Sequence, residues 1–285
     1  MEKKIIERNL TLYKLLEHTV AVPDYQRDYA QGRQNDIKIE DTRIKFVDDI
    51  IQAASSTAIK DCVHMGLVYG SCNNDLGGFV AVDGQQRLTT AFLFHLYLAK
   101  RVNGKESTNM TSHLKNFGWH GRIYASEFTE FLFDTTSWDG ECNVVTALKE
   151  STDYCEIWES DPTVNNMFTM LESIHAKLSN YTNDILENMI INLTSENCQL
   201  VFDQMILEQD TDEFQYQMMN SRGRDLTTYE LFKQKFQDSA KFPDSLKTLM
   251  DNEWLEFFDN YVSKTNDEIQ YEADIYFQNY INEFA

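Results

Sequence analysis

The stretch that decides the fold is residues 79–100, "FVAVDGQQRLTTAFLFHLYLAK". Four apolar residues run into Asp83 and Gly84, which predicts a strand that ends at a tight turn. The residues after Arg87 are apolar at most positions, which predicts a buried helix. The polar residues Gln85, Gln86 and Arg87 are therefore expected where a strand turns into a helix.

This placement predicts an anion site. A helix N-terminus has unpaired N–H donors and about half a positive charge, so it favours phosphate. Arg87 can add a bidentate fork, the two glutamines can hold oxygens or position a water, and Thr89 and Thr90 offer hydroxyls. Asp83 could hold Mg²⁺ or orient the attacking water. With one glycine, the motif is neither a Walker A loop nor GxGxxG.

The same residues also allow a purely structural interpretation. In that alternative the helix is simply capped, and Arg87 pairs with Asp83, four residues earlier. Spacing alone does not choose between the anion site and this alternative.

Two further polar clusters are candidates for the same cleft. The first, "VPDYQRDYAQGR" (22–33), contains Gln26, Arg27 and Arg33. The second, "MMNSRGRDLTTYELFK" (218–233), contains a turn at 220–223 followed by a capping box. Taken singly, each is also explained as an exposed loop or a capped turn. Together, on turns that a mixed sheet could bring close, the three clusters predict an anion-binding cleft.

Charge is distributed unevenly along the chain. Residues 1–100 contain 12 Lys/Arg and 13 Asp/Glu, whereas residues 101–285 contain 13 and 33, so −20 of the net −21 lies in the second segment. Such a surface repels the phosphates of DNA, because non-specific affinity comes from Lys and Arg. We expect any action on DNA to be indirect.

Composition narrows the class of protein further. The chain of 285 residues is 42% hydrophobic and 13% aromatic, enough for a substantial core. It has no 18-residue apolar run and no secretory signal at its charged N-terminus, so we expect no membrane association. Five scattered cysteines without CxxC spacing argue against zinc and disulfides and favour a reducing cytoplasm.

The chain patterns predict a mainly helical α+β fold with a small mixed sheet. We expect a nucleotide-binding core over 1–105, a helical region over 106–195, and a return strand with C-terminal helices over 196–285. The individual expectations are helical spacing at 7–18, a strand at 19–26, a helix at 37–54, strands at 62–71 and 78–83, a loop at 101–112, a mostly helical 113–195, a strand at 198–207, helices at 211–219 and 227–238, and a helix with one aromatic face at 254–261.

The motifs "QRDYAQGR", "LVYGS", "VDGQQRLTT", "SDPTVNNMFTMLESIH" and "MMNSRGRDLTTYELFK" together resemble the DGQQR-motif family, the N-terminal domain of GmrSD-type modification-dependent restriction endonucleases. The resemblance runs from about residue 20 to residue 240. As a set, the motifs are specific to that family.

The resemblance implies an NTP-binding and NTP-hydrolysing domain with a ParB/sulfiredoxin-like fold, using GTP or ATP with Mg²⁺. Residues 83–87 correspond to the central motif. Gln26 and Arg27 correspond to the first motif. Asn220, Arg222 and Gly223 correspond to the last.

The family implies a nuclease partner, as a domain or a subunit, that acts on modified or phage DNA. In this family the nuclease is often of the HNH type, which needs a histidine as its general base. No histidine follows His175. We therefore expect that residues 176–285 are not that nuclease, and that the chain is either an N-terminal fragment or a stand-alone NTPase module.

Three functions remain open at this point. The first is a Mg²⁺-dependent NTPase that regulates a defence system, with Arg27, Arg87 and Arg222 on the phosphates. The second is a sensor that binds nucleotide or modified DNA without turnover. The third is a scaffold in which the polar clusters are structural.

Overall fold

The computed structural model of the chain describes residues 4–23, 26–33, 37–58, 62–73, 78–120, 122–134, 138 and 143–207, which all belong to the first of two compact units, Met1–Asp210. The strands are β1 Lys4–Leu10, β2 Thr19–Val22, β3 Val63–Asn73, β4 Gly78–Asp83, β5 Phe117–Trp119 and β6 Leu200–Leu207. The helices are α1 Leu12–Leu15, α2 Ile37–Ser55, α3 Gln85–Arg101, α4 Lys105–Leu114, α5 Ile123–Asp134, α6 Val144–Lys149, α7 Pro162–Leu178 and α8 Asn183–Thr194, with a 3₁₀ helix at Glu156–Ser160.

The six strands form one mixed sheet in the order β1-β6-β3-β4-β2-β5. Strand β2 runs parallel to β4 and β5, and β3 runs parallel to β6, whereas β3–β4 and β1–β6 are antiparallel. The predicted α+β class, mainly helical with a mixed sheet, is confirmed. The predicted strand at 198–207 is β6, which lies inside the sheet between β1 and β3.

Helix α3 is the central helix of the core. It packs against α4, α7 and α8. Nearly all of its side chains after Arg87 are buried, including Leu88, Phe92 and Leu96. The predicted strand, turn and helix are confirmed: β4 ends at Asp83, α3 begins at Gln85, and Gly84 between them has φ +93°. This left-handed conformation strongly favours glycine, so the sharp turn depends on Gly84.

Two predicted elements are wrong. Of the range 7–18 that was expected to be helical, residues 12–15 form α1, but residues 7–10 belong to the edge strand β1, because β6 offers them a backbone partner nearly 200 residues away. The expected loop at 101–112 contains α4, since Met110 and Leu114 are buried against the core, and the Ser107 hydroxyl accepts from the Gly104 N–H at 3.0 Å. In both places tertiary contacts override the local pattern.

The predicted start of α7 is confirmed. The Asp161 side chain accepts a hydrogen bond of 2.7 Å from the Thr163 N–H, and Pro162 occupies the first turn. His95 is a core residue as expected, with Nδ1 2.7 Å from the Ala91 carbonyl oxygen. The predicted helices at 211–219 and 227–238 and the aromatic face at 254–261 lie outside the described residues.

The described part of the chain has no helix with the length and apolar character needed to cross a bilayer. Its four cysteines, Cys62, Cys72, Cys155 and Cys198, are free thiols.

Candidate functional site

The structure brings two of the three predicted clusters together through Gln86. The segment 26–33, called the strap below, has no regular secondary structure and crosses the start of α3. The Gln86 Nε2 atom donates to the Asp28 carbonyl at 2.8 Å, and its Oε1 atom accepts from the Ala30 N–H at 2.7 Å. One carboxamide therefore joins the DGQQR motif to the QR motif.

Gln26 makes a second connection, at the end of β4. Its side chain is only 2% exposed, and Nε2 donates to the carbonyls of Val82 at 2.8 Å and Ala81 at 3.3 Å. These two carbonyls fix the orientation of the amide. Its Oε1 atom is consequently a buried acceptor, with no hydrogen-bond partner among the described residues.

Arg87 binds the backbone of β3. Its Nη1 donates to the Met65 carbonyl at 2.6 Å and its Nη2 to the Leu67 carbonyl at 2.8 Å. The residue between them, Gly66, has φ +86° and lies at an irregularity in the β3–β6 pairing. Nη2 is also 3.5 Å from Asp83 Oδ2, so the ion pair of the structural alternative is present. The guanidinium stabilises a bulge, and 29% of the side chain stays exposed.

The two threonines turn towards protein rather than solvent. Thr89 is buried, and its hydroxyl donates to the Gln85 carbonyl at 2.8 Å. Thr90 Oγ1 lies 2.7 Å from the hydroxyl of Tyr29 and also hydrogen-bonds to Gln31. Tyr29 is fully buried, and this burial raises the pKa of its phenol. The Thr90 and Tyr29 hydroxyls therefore hold α3 and the strap together, whereas the Thr89 hydroxyl stays within α3.

Four residues that the sequence did not single out also hold the strap. Arg122 pairs with Asp28 and donates to the Gln26 carbonyl at 2.8 Å. The remaining three are Thr163, which accepts from the Tyr29 N–H, Asn166, which donates to the Tyr29 carbonyl, and Arg43, which donates to the Arg33 carbonyl. All come from outside the recognised motifs or from positions without a spacing signal. No local pattern could have identified them.

The first turn of α3 has the properties that favour an anion. Gly84 is its N-cap and has no side chain with which to cap it, and no acidic residue lies in the turn itself. Gln85 is buried, and the strap residues Gln26 and Arg27 lie at the adjoining end of β4. Arg27 is partly buried. Four predicted residues, Gln26, Arg27, Gln85 and Gln86, are thus close to the start of one helix.

Asp83 is the carboxylate available for a metal at this place. Its side chain is 54% exposed at the carboxyl end of β4, beside Arg87. The described residues contain no group of three or more His, Cys, Asp or Glu that could hold a metal ion by themselves. Mg²⁺ in nucleotide sites is held by one or two carboxylates together with phosphates and waters. A single exposed aspartate fits that mode of binding.

Part of the predicted site lies outside the described residues. This applies to Asn220, Arg222 and Gly223, whose place in the site stays a prediction.

Comparison with known proteins identifies a family. A family model described as "GmrSD restriction endonuclease, N-terminal domain" matches residues 10–237. No curated protein matches the chain.

Proposed function

Because the chain belongs to the GmrSD restriction endonuclease N-terminal domain family, and is thus a component of a restriction or defence system, we propose that its strap and DGQQR motif form a nucleotide site. In this proposal the domain binds GTP or ATP with Mg²⁺ and hydrolyses it. The nucleotide state then regulates a nuclease domain or subunit, so that the domain acts on DNA only indirectly.

The observation that carries the proposal is the double connection between the two motifs. Gln86 hydrogen-bonds to Asp28 and Ala30, and Gln26 hydrogen-bonds to Val82, all beside the start of α3, where the N-cap is the glycine Gly84. A helix N-terminus next to a fixed loop offers preorganised N–H donors for phosphate. Two motifs that are 56–58 residues apart at these hydrogen bonds thus meet at one helix N-terminus.

The contacts suggest a division of roles among the predicted residues. The N–H groups of the first turn of α3, with Arg27 and the exposed part of Arg87, bind the phosphates. Asp83 would hold Mg²⁺, which supplies positive charge to the phosphate oxygens. Gln85 orients the attacking water, and Gln86 keeps the strap in place.

A second candidate is a sensor that binds nucleotide without turnover. The observation that favours it is the engagement of Gln86 and Arg87 by backbone groups. Side chains held in this way are less available to polarise a water or to follow charge that develops on a transferring phosphoryl group. Asn220, Arg222 and Gly223, if they join the site, would supply groups for turnover.

The test is phosphate release from GTP and from ATP, with and without Mg²⁺, alongside the melting temperature with each nucleotide at millimolar concentration. Mg²⁺-dependent release supports the enzyme. A higher melting temperature without release supports the sensor, because a ligand of the native state stabilises it by mass action. Neither release nor a thermal shift with either nucleotide contradicts both.

Arg87→Lys is the informative variant, because lysine keeps the positive charge but cannot copy the forked donors. We expect it to weaken nucleotide binding. Lys149→Ala, which removes a surface ion pair with Glu159, serves as a control that leaves binding unchanged.

A further inference from the structure

The side chain of Arg122 is almost completely buried, with 3% exposed. It lies immediately before α5, 35 residues after Arg87 of the DGQQR motif. A buried guanidinium is costly unless its charge and its N–H groups are satisfied. The groups that pair with Arg122 therefore indicate its role.

Two of those partners are in the strap. Arg122 Nη1 pairs with the Asp28 carboxylate, and Nη2 donates to the Gln26 carbonyl at 2.8 Å. The rigid guanidinium plane thus bridges a side chain and a backbone group two residues apart. This bridge fixes the direction of the chain through Arg27, the residue between them.

The guanidinium is itself held in position. Its carbon lies 5.9 Å from the centre of the Trp119 ring, and Trp119 belongs to β5. Strand β5 pairs with β2, and β2 pairs with β4, which carries Asp83 at its end. Arg122 is therefore anchored to the same sheet that presents the DGQQR motif.

From these contacts we infer that Arg122 is a positioning residue for the nucleotide site: it holds the Gln26–Asp28 part of the strap against the end of β4. This inference rests on the proposed function for its ligand. Its structural part concerns the strap alone and can be tested without any nucleotide.

Asp28 and Gln86 show why the arginine is needed. Gln86 Nε2 donates to the Asp28 carbonyl, and Arg122 Nη1 donates to the Asp28 carboxylate, so Asp28 is held from both sides. A lysine at position 122 keeps the charge. It cannot reach the carboxylate and the Gln26 carbonyl with the fixed geometry of a fork.

The experiment compares hydrogen exchange over residues 26–33 in the wild type, in Arg122→Lys and in Asp28→Asn. Loss of one charge-assisted hydrogen bond should speed exchange of the strap on the order of tenfold. Asp28→Asn keeps the shape of the side chain, so it remains informative if Arg122→Lys folds poorly.

Arg101→Lys is the matched control. Arg101 is also buried, but it lies at the other end of α3, where it donates to the Ser179 carbonyl at 3.5 Å. It is about 24 Å from the motif along the helix, at 1.5 Å per residue. It should lower stability without changing exchange in the strap.

The same proteins are then titrated with GTP and with ATP, in the presence of Mg²⁺. We expect the dissociation constant to rise about tenfold in Arg122→Lys, the effect of losing one oriented contact, and to stay unchanged in Arg101→Lys. Normal strap exchange in both Arg122→Lys and Asp28→Asn would overturn the inference. Faster exchange of the strap in Arg122→Lys combined with a wild-type nucleotide affinity would overturn it as well. A wild type that binds neither nucleotide overturns the proposed function, and the exchange data then decide the structural part separately.

Discussion

The Nη1 atom of Arg87 lies 2.0 Å from the position that a Cβ atom would take on Gly66. A side chain at position 66 and the observed Arg87 conformation therefore exclude each other. This relationship explains why a glycine with φ +86° occurs in the middle of β3. The bulge brings two carbonyl groups to the guanidinium, and the missing Cβ leaves room for it.

We predict that Gly66→Ala destabilises the protein by about 1–3 kcal/mol through backbone strain alone, with a further loss from the contact with Arg87. Urea denaturation measures the change. Gly104→Ala is the control, because Gly104 is extended at φ −177° and the nearest atom to an added Cβ is 3.7 Å away. In Gly66→Ala/Arg87→Ala the contact is gone, so the double variant should lose less than the sum of the single losses. If the loss in the double variant equals the sum of the two single losses, the contact between position 66 and Arg87 contributes no energy.

Gln86 should be important for stability as well as for function. Gln86→Met keeps the length of the side chain but leaves the Ala30 N–H and the Asp28 carbonyl without their partner. We expect a loss of about 1–3 kcal/mol in the free energy of unfolding. Gln86→Glu keeps the acceptor for the Ala30 N–H but places a charged oxygen against the Asp28 carbonyl, so it should lose stability as well. Unchanged stability combined with lost phosphate release would mean that Gln86 serves the nucleotide rather than the strap.

Asp83→Asn should separate function from stability. The Asp83–Arg87 pair is half exposed and 3.5 Å long, so its removal should change the unfolding free energy by less than about 1 kcal/mol. If Asp83 holds Mg²⁺, phosphate release should fall on the order of 100-fold.

The control for Asp83→Asn is Asp48→Asn, which removes an equally exposed carboxylate, 51% against 54%, that pairs with Lys177. Asp48→Asn should retain full phosphate release. Equal loss in both variants would assign the effect to net charge.

The buried His95 predicts a specific pH dependence of stability. Burial lowers the pKa of His95 to about 4, although its hydrogen bond to the Ala91 carbonyl acts in the opposite direction. The ordinary value in the unfolded chain is about 6.5, so between pH 6.5 and 4 the unfolded state binds a proton that the folded state does not. Stability therefore falls as pH falls, by about 2 kcal/mol at pH 5 from this residue.

His95→Phe removes the ionisable group while keeping a buried ring. Denaturation at pH 7 and pH 5 measures how far the free energy of unfolding falls between these two pH values. This fall should be about 2 kcal/mol smaller in His95→Phe than in the wild type. An identical loss in both proteins would show that other groups cause the pH dependence.

The structure could be predicted from the sequence where neighbouring residues determine it. The strand, turn and helix around Gly84 were predicted because an apolar run, a glycine and a helical apolar pattern follow one another. Asp161 and Pro162 marked the start of α7 for the same reason. These signals depend on the backbone geometry of a few consecutive residues.

The structure could not be predicted from the sequence where the interacting residue or strand is distant in the chain. Residues 4–10 form a strand because of β6, and Ile5 and Ile6 are both exposed, so no alternation marks them. The 26–33 and 83–90 clusters lie close together, as the sequence analysis expected, but the directions of their side chains were not predicted. Gln86 points to the strap, and Arg87 to β3, only because the sheet brings those segments within reach. Arg122 has no local signal at all.

The position of β6 has a consequence for how the protein is made. Strands β1 and β3 are separated by β6, whose first residue is Leu200. As the chain emerges from the ribosome, β1 has no partner among the described strands, and β3 has one bare edge, until β6 has been translated. Pairings this far apart in sequence close slowly. Completion of the sheet, and with it the bulge that receives Arg87, therefore waits until translation has passed residue 207.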